Sequence, residues 1–85
     1  MNLYVGNLSY STTERDLTEA FEQYGEVTSA RIITDRETGK NRGFAFVEMP
    51  KVGEAKAAMQ ALNGTKIGDN KLRVKKAEYR SENQD

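Results

Sequence analysis

The segment Arg42–Met49 (RGFAFVEM) constrains the fold more than any other part of this sequence, because it is apolar on both sides of an expected strand. Side chains alternate along a strand, so three apolar residues share one face and two rings share the other with two charges. The first set is Ala45, Val47 and Met49, and the second is Arg42, Phe44, Phe46 and Glu48. An isolated Phe-Ala-Phe more often lies in a core, but that phase would bury Arg42 and Glu48, which is costly. The charge pattern therefore predicts that both rings lie on a face that no helix covers.

Six segments with strand or helix patterns follow one another in the order βαββαβ. Strand segments show apolar runs or period-two alternation, and helical segments show apolar residues three and four apart. In chain order they are strand Leu3–Leu8, a helix between Thr13 and Gly25, strand Val27–Thr34, strand Arg42–Met49, helix Val52–Leu62 and strand Lys71–Lys76. This order predicts an α+β, ferredoxin-like sandwich in which two helices cover one face of a four-stranded antiparallel sheet. The domain is expected to span residues 1–78, followed by a short polar tail at 79–85.

Each predicted helix carries one apolar stripe that can pack against the sheet. The first helix begins with a sequence that resembles a capping box, formed by Thr13 and Asp16. Its stripe comprises Leu17, Ala20, Phe21 and Tyr24. The stripe of the second helix comprises Val52, Ala55, Ala58, Met59 and Leu62. Gly43 in the third strand is expected to let a helix approach the sheet closely.

The composition excludes several classes of chemistry. The 85 residues, enough for one domain, include no Cys and no His. Their absence removes disulfides, thiolate chemistry, iron–sulfur clusters and ordinary zinc sites, together with the commonest acid–base side chain at neutral pH. No nucleophile–base arrangement is found, so the sequence predicts neither an enzyme nor a bound cofactor or metal. No apolar run reaches membrane-spanning length and no secretory signal pattern opens the chain. A cytoplasmic location is compatible with the absence of Cys and is the location we expect.

The charge of the chain is balanced overall but uneven locally. Thirteen Lys and Arg residues offset thirteen Asp and Glu residues, which alone argues weakly against a nucleic-acid partner. Yet Glu14–Glu26 holds five acids and one base, whereas Lys66–Arg80 holds six bases and two acids. These are either ordinary solvated charges or the two ends of a dipolar surface.

The first strand repeats the pattern of the third. Leu3 and Val5 are expected to face the core, and Tyr4 the uncovered side. The first and third strands are central neighbours in this topology, so Tyr4, Phe44 and Phe46 should form one exposed aromatic patch. Contiguous exposed apolar surface usually marks a binding site. Flat rings bordered by Arg and Lys suit unstacked bases with phosphates between them.

Two segments resemble the signature motifs of the RNA recognition motif family. Arg42–Met49 satisfies seven of the eight positions of the family's octamer, K/R-G-F/Y-G/A-F-V-x-F/Y, and departs from it at the inward Met49. Leu3–Leu8 resembles the family's hexamer. The chain is similar to small bacterial and cyanobacterial RNA-binding proteins and to the domain of plant glycine-rich RNA-binding proteins. The resemblance implies a domain that binds single-stranded RNA, in post-transcriptional regulation or as an RNA chaperone.

The resemblance also implies roles for the residues of the patch. Tyr4 is expected to stack on one base and Phe46 on the next, with Phe44 against the sugars between them. Arg42 is expected to pair with the intervening phosphate. Glu48 either accepts a hydrogen bond from an exocyclic amine of a base or is ordinary edge polarity.

Further residues are expected at the margins of the patch. Asn2 and Arg31 should face it, and a basic row on the last strand should border it. That row comprises Lys71, Arg73 and Lys75. The loop around Arg36 and Lys40 either clamps RNA or is the mobile end of a hairpin.

Other ligands stay open. A protein-binding module of the same architecture would fit the acidic first helix, although such a module does not need the ring set with Arg42. Single-stranded DNA is an alternative to RNA, because stacking does not read the 2′-hydroxyl.

Overall fold

The computed structural model of the chain describes residues 1–39, 41–68 and 70–77, with the side chains at 41 and 42 outside that description. Its elements are β1 Asn2–Gly6, α1 Glu14–Glu22, β2 Ser29–Thr34, β3 Asn41–Glu48, α2 Val52–Leu62, β4 Lys66–Ile67, β5 Asn70–Lys71 and β6 Arg73–Lys76. The predicted polar tail at 79–85 lies outside the described residues.

Four strands form one antiparallel sheet in the order β2-β3-β1-β6. The first and third strands are the central pair, with Tyr4 opposite Phe46 and Gly6 opposite Phe44. β4 and β5 form a separate two-stranded ribbon. The predicted ferredoxin-like α+β arrangement of a four-stranded antiparallel sheet with two helices is confirmed.

The core lies between the two helices and one face of the sheet. Leu17 and Phe21 of α1 are fully buried, and α2 contributes Ala55, Ala58 and Leu62. The sheet supplies alternate side chains that are likewise buried: Leu3, Val5, Ala45, Val47 and Val74. Because successive side chains of a strand point to opposite faces, the residues between them lie on the face without helices.

Both helices begin and end close to the predicted positions. Thr13 Oγ1 accepts a hydrogen bond from the Asp16 N–H at 3.1 Å, and Asp16 Oδ2 accepts one from the Thr13 N–H at 3.0 Å. This reciprocal pair is the predicted capping box, and it starts α1 at Glu14. The bounds of α2 are those predicted. Neither helix in the described part of the chain is long and apolar enough to cross a bilayer.

Val52 does not pack inward as predicted, because its side chain is 53% exposed. The buried stripe of α2 consists of Ala55, Ala58 and Leu62, with Met59 partly buried against the core. With about 100° of rotation per residue, Val52 lies at the margin of that stripe, and it is also the first helical residue. Spacing alone therefore overstated the width of the packed face.

Gly43 is needed for the backbone conformation at this position. It does not let a helix approach the sheet, so the prediction made for it was wrong. Its φ is 92°, and a Cβ atom placed on it would meet nothing within 4 Å. Ile32 lies opposite Ala45, but two residues further along β2, Thr34 lies opposite Asn41. The β3 side therefore carries extra residues in an irregularity of the ladder, where glycine adopts a φ that other residues avoid.

The last strand is shorter than the predicted Lys71–Lys76. The Leu72 N–H donates to the Thr65 carbonyl at 2.7 Å, and the Gly64 N–H donates to the Leu72 carbonyl at 2.8 Å. These bonds hold Leu72 against the chain that leaves α2, so β6 begins at Arg73, two residues later than predicted, and Lys71 belongs to β5.

Replacing Gly43 by Ala should lower the free energy of unfolding by about 1–3 kcal/mol, because alanine is strained at this φ. The matched control is Gly53→Ala in α2, which also has open space around its Cβ position but no positive φ. It should raise the stability by roughly 0.5–1 kcal/mol. Urea unfolding followed by circular dichroism measures both, and equal effects of the two substitutions would contradict the role assigned to the φ of Gly43.

Candidate nucleic-acid interface

Three aromatic rings form a cluster at the centre of the uncovered sheet face. The Tyr4 and Phe44 ring centroids are 5.9 Å apart with 24° between the planes, which is a stacked pair. Phe46 stands edge-on to both rings, 6.0 Å from Tyr4 and 6.1 Å from Phe44. All three side chains are partly exposed, whereas Leu3, Val5, Ala45 and Val47 beside them are buried. The aromatic patch therefore lies where the alternation in β1 and β3 predicted it, and we refer to these three rings as the aromatic cluster.

Gly6 lets the Tyr4 ring lie along its own strand. A Cβ atom at position 6 would come within 2.8 Å of both Cε1 and Oη of Tyr4, which is well inside van der Waals contact. Gly6 also lies opposite Phe44 in the ladder. The missing side chain therefore makes room for the Tyr4 ring beside Phe44.

A row of four side chains crosses the sheet through the aromatic cluster. Arg31 of β2 lies opposite Phe46. Phe46 lies opposite Tyr4, and Tyr4 lies opposite Lys75 of β6. Lys75 Nζ is 5.3 Å from the centroid of the Tyr4 ring, within the range of a cation–π interaction. Two rings are thus flanked by one positive charge on each side.

A groove of about 460 Å³ runs along the Phe46 side of the row. Three strands line it with Asn2, Ser29, Arg31, Ile33, Phe46 and Glu48. Asn2 and Ser29 each lie opposite Glu48 in the ladder, so an amide, a carboxylate and a hydroxyl form a second row. The structure therefore brings the predicted residues Asn2, Arg31 and Glu48 together beside Phe46. Groups that donate and accept hydrogen bonds here adjoin a flat apolar ring.

A second groove, of about 390 Å³, lies on the other side of Tyr4. Its lining is Tyr4, Asn63, Arg73, Val74 and Lys75. Asn63 Oδ1 accepts a hydrogen bond from the Val74 N–H at 3.0 Å, which holds the end of α2 against the edge of β6. Arg73 lies opposite Gly6, next to Lys75 on the same face. Two of the three predicted basic residues therefore line this groove.

The third basic residue, Lys71, is separated from that row. It lies in β5 opposite Lys66, and its carbonyl oxygen accepts a hydrogen bond from Asn7 Nδ2 at 2.8 Å. The turn after β1 thus holds Lys71 in the ribbon, so the predicted face shared with Arg73 and Lys75 is wrong for this residue.

Of the remaining predicted cations, the structure describes only the side chain of Arg36. Arg36 is exposed in the loop between β2 and β3. The side chain of Arg42 and the whole of Lys40 lie outside the described residues.

Apart from the buried Val74, three residues that line the grooves were not singled out from the sequence. Ser29 and Ile33 flank Arg31 two positions away on either side, so alternation along β2 could have indicated both. Asn63 directly follows the predicted second helix, Val52–Leu62. No local pattern brings it beside β6, because that contact joins elements that are distant in the chain.

The acidic residues of α1 lie on the opposite side of the sheet from the aromatic cluster. Glu14, Asp16, Glu19 and Glu22 are all exposed, and Glu19 pairs with Arg15 at 3.2 Å. In the ranges that the structure describes, no three acidic side chains are grouped to hold a metal ion. The local charge imbalance of the sequence therefore becomes an acidic helix surface and a cationic sheet face.

Rings flanked by cations, with hydrogen-bonding groups along one side, have the chemistry that flat bases joined by phosphates require. On a βαββαβ sheet they define the class of domains that bind nucleic acid on an open sheet face. The chain belongs to the RNA recognition motif family, which it matches over residues 3–73. The family that the octamer and hexamer motifs predicted is therefore confirmed.

Known proteins resemble this chain over nearly all of its length. A protein of Nostoc sp. named "Putative RNA-binding protein RbpE" is 52% identical over 82 residues, covering 96% of this chain and 83% of that protein. The crystal structure of RNA binding protein PG1 has a TM-score of 0.91 and 54% identity, covering 96% of this chain and 99% of the other. An Sxl-lethal protein/RNA complex has a TM-score of 0.87 and 32% identity, covering 93% of this chain and 47% of that one.

Gly6→Ala should move the Tyr4 ring away from Phe44 and leave the fold intact. The three atoms nearest the added methyl group all belong to the far end of the flexible Tyr4 side chain, and alanine is as stable as glycine or better within a strand. Nuclear Overhauser contacts between the two rings should be lost, while the thermal midpoint stays within a few degrees. Gly53→Ala is the control, and unchanged ring contacts in Gly6→Ala would refute the role given to Gly6.

Proposed function

We propose that this protein binds single-stranded RNA on the aromatic cluster and the two grooves beside it, without catalysing a reaction. The observation that carries the proposal is the cluster itself, three partly exposed rings in contact at the centre of a sheet. Such a contiguous exposed apolar surface marks a binding site. The names of the relatives, which describe RNA-binding proteins and an RNA complex, favour RNA as the ligand.

Single-stranded RNA fits the cluster better than a duplex does. A flat ring can stack only on a base whose face is open, and bases in an A-form helix are stacked on one another. Tyr4 and Phe46 would each stack on one base of about two to four bound nucleotides, with Phe44 against the sugars between them. Each such stack is worth about 1–3 kcal/mol, so two rings can supply much of the binding energy.

Phosphates would be held by the cations that surround the rings. A base on Tyr4 would take the place beside the ring that Lys75 Nζ holds, and the ammonium would then turn to a phosphate. Arg73 and Arg31 would bind phosphates on the two sides of the row. Lys71 would contact the RNA only where the RNA strand passes the β4–β5 ribbon. Arg42 is assigned the phosphate between the two stacked bases, a role that suits a bidentate guanidinium.

The long-range field of the protein favours the same orientation. Exposed acids on α1 repel a polyanion, and the cations beside the aromatic cluster attract one, so the sheet face meets RNA first. Single-stranded DNA is expected to bind the same face, because the rings do not read the 2′-hydroxyl.

The wider assignment rests on the sequence and the family. The RNA-binding domain is assigned to residues 1–78, and its role to post-transcriptional regulation or RNA chaperoning. The absence of Cys and His leaves no evident nucleophile or base, which supports a purely binding function. A cytoplasmic location stays a prediction from the sequence.

Phe46→Ala should weaken the binding of a fluorescein-labelled RNA octamer by about 1–3 kcal/mol, because one base loses its stacking partner. Fluorescence anisotropy measures the affinity, and thermal unfolding measures the fold. Val47→Ala is the matched neighbour, since Val47 is fully buried on the other face. It should lower stability and leave the affinity of the folded protein unchanged. If Phe46→Ala binds as well as the wild type, or unfolds, the proposed base platform is wrong.

Arg42→Ala should flatten the dependence of log affinity on log salt concentration by about 0.7, the effect of losing one phosphate contact on a single strand. Arg15→Ala removes the same charge from α1, on the far side of the sheet, and should leave the slope unchanged. An Arg42→Ala slope equal to that of the wild type would remove this residue from the phosphate contact.

A further inference from the structure

Glu48 places a negative charge on the face proposed to meet RNA. A carboxylate there repels phosphates and weakens binding to every sequence, unless a favourable contact to a base offsets the repulsion. Its side chain is exposed, and it makes no hydrogen bond or ion pair with another residue in the described part of the chain. Its oxygens are therefore available to accept hydrogen bonds from a ligand.

Arg31 lines the same groove and is equally unengaged. Its side chain is exposed and makes no ion pair with Glu48 or with any other described residue. Two opposite charges thus line one groove of about 460 Å³ without neutralising each other. Their separation leaves room for a polar group that can bind both.

The two charges flank Phe46 from two directions at nearly a right angle. Arg31 lies across the ladder from Phe46, about 5 Å away by the spacing of paired strands. Glu48 lies two residues along β3 on the same face, about 7 Å away by the rise of a strand. A base stacked on Phe46 therefore meets a carboxylate at one edge and a guanidinium at the adjacent edge.

Guanine is the base whose two adjacent edges fit this pair. Its Watson–Crick edge carries two neighbouring donors, N1–H and the N2 amine, which match the two oxygens of a carboxylate. Its Hoogsteen edge carries two acceptors, O6 and N7, which match a guanidinium. Adenine and cytosine present a ring-nitrogen acceptor beside their amine, and uracil presents one donor between two carbonyls, so each would turn an acceptor toward Glu48.

We infer that the groove beside Phe46 is a guanine-selective subsite, in which Glu48 accepts from N1–H and the N2 amine while Arg31 donates to O6 and N7. The inference rests on the proposed function and gives it a base preference. Asn2 and Ser29 lie on either side of Glu48 and close the ends of the second row.

The test uses labelled pentanucleotides UUXUU with one variable nucleoside X, measured by fluorescence anisotropy. Guanosine at X should bind at least about fivefold more tightly than adenosine or uridine, the low end of what a bidentate contact gives. Inosine, which lacks the N2 amine, should lose part of that advantage. Wild-type protein that binds guanosine, adenosine and inosine equally would overturn the inference.

Glu48→Gln should lower the ratio of guanosine to adenosine affinity at least about tenfold, because a glutamine amide pairs one donor with one acceptor, as adenine requires. Glu22→Gln removes the same charge from α1 and should leave the ratio unchanged. A ratio that survives Glu48→Gln would remove Glu48 from base recognition.

The assignment of Arg31 has its own test. Replacing guanosine by 7-deazaguanosine removes N7, which should weaken binding to the wild type but have no further effect on Arg31→Ala. If Arg31→Ala still senses N7, Arg31 is not the residue that reads that edge.

Failure of this inference is distinguishable from failure of the proposed function. If Phe46→Ala weakens every pentanucleotide equally and X has no influence, RNA binding stands and guanine selectivity falls. If no pentanucleotide binds, or Phe46→Ala changes nothing, the sheet is not the binding surface and both proposals fall.

Discussion

Two helices bury their apolar stripes against one face of a four-stranded sheet, and nothing in the described part of the chain covers the other face. Folding energy comes from the covered side, where Leu17 and Phe21 of α1 meet the alternate residues of the sheet. The uncovered side contributes less to stability and can carry side chains suited to a ligand. Tyr4, Phe44 and Phe46 lie on this uncovered side. The cations beside them fit a surface that binds a ligand, because rings packed in a core have no use for neighbouring charges.

The pairing of the strands arranges the side chains of the uncovered face into a candidate binding site. Register aligns the residues of four separate strands into rows, so that Arg31, two rings and Lys75 follow one another across the sheet. A shift of one residue in any strand would send that strand's contribution into the core. The charges of the row also explain how a chain with no net charge can bind a polyanion, because the acids of α1 are carried on the other side.

Local periodicity predicted much of this from the sequence, and contacts between distant segments account for what it missed. Alternation in Arg42–Met49, together with the cost of burying Arg42 and Glu48, was sufficient to assign Phe44 and Phe46 to the uncovered face. Helical spacing predicted the bounds of α2. It could not predict that Leu72 pairs with the chain after α2, which moves Lys71 out of the sheet. Nor does a sequence show the φ of Gly43, or the approach of Asn63 to β6. The faces of single elements were predictable, whereas the changes of direction between elements were not.

The position of Lys75 over Tyr4 has a consequence for the protein's behaviour in concentrated solution. An exposed aromatic surface invites a second molecule to stack on it, which is a common route to self-association. Here two copies that approached sheet to sheet would bring Lys75, Arg73 and Arg31 of one against the same cations of the other. Coulomb repulsion among these cations, offset in part by Glu48 on the same face, would therefore oppose such stacking while leaving the surface attractive to a polyanion. The charges around the rings therefore favour a polyanion over a second copy of the protein, and they act at long range, before either contacts the rings.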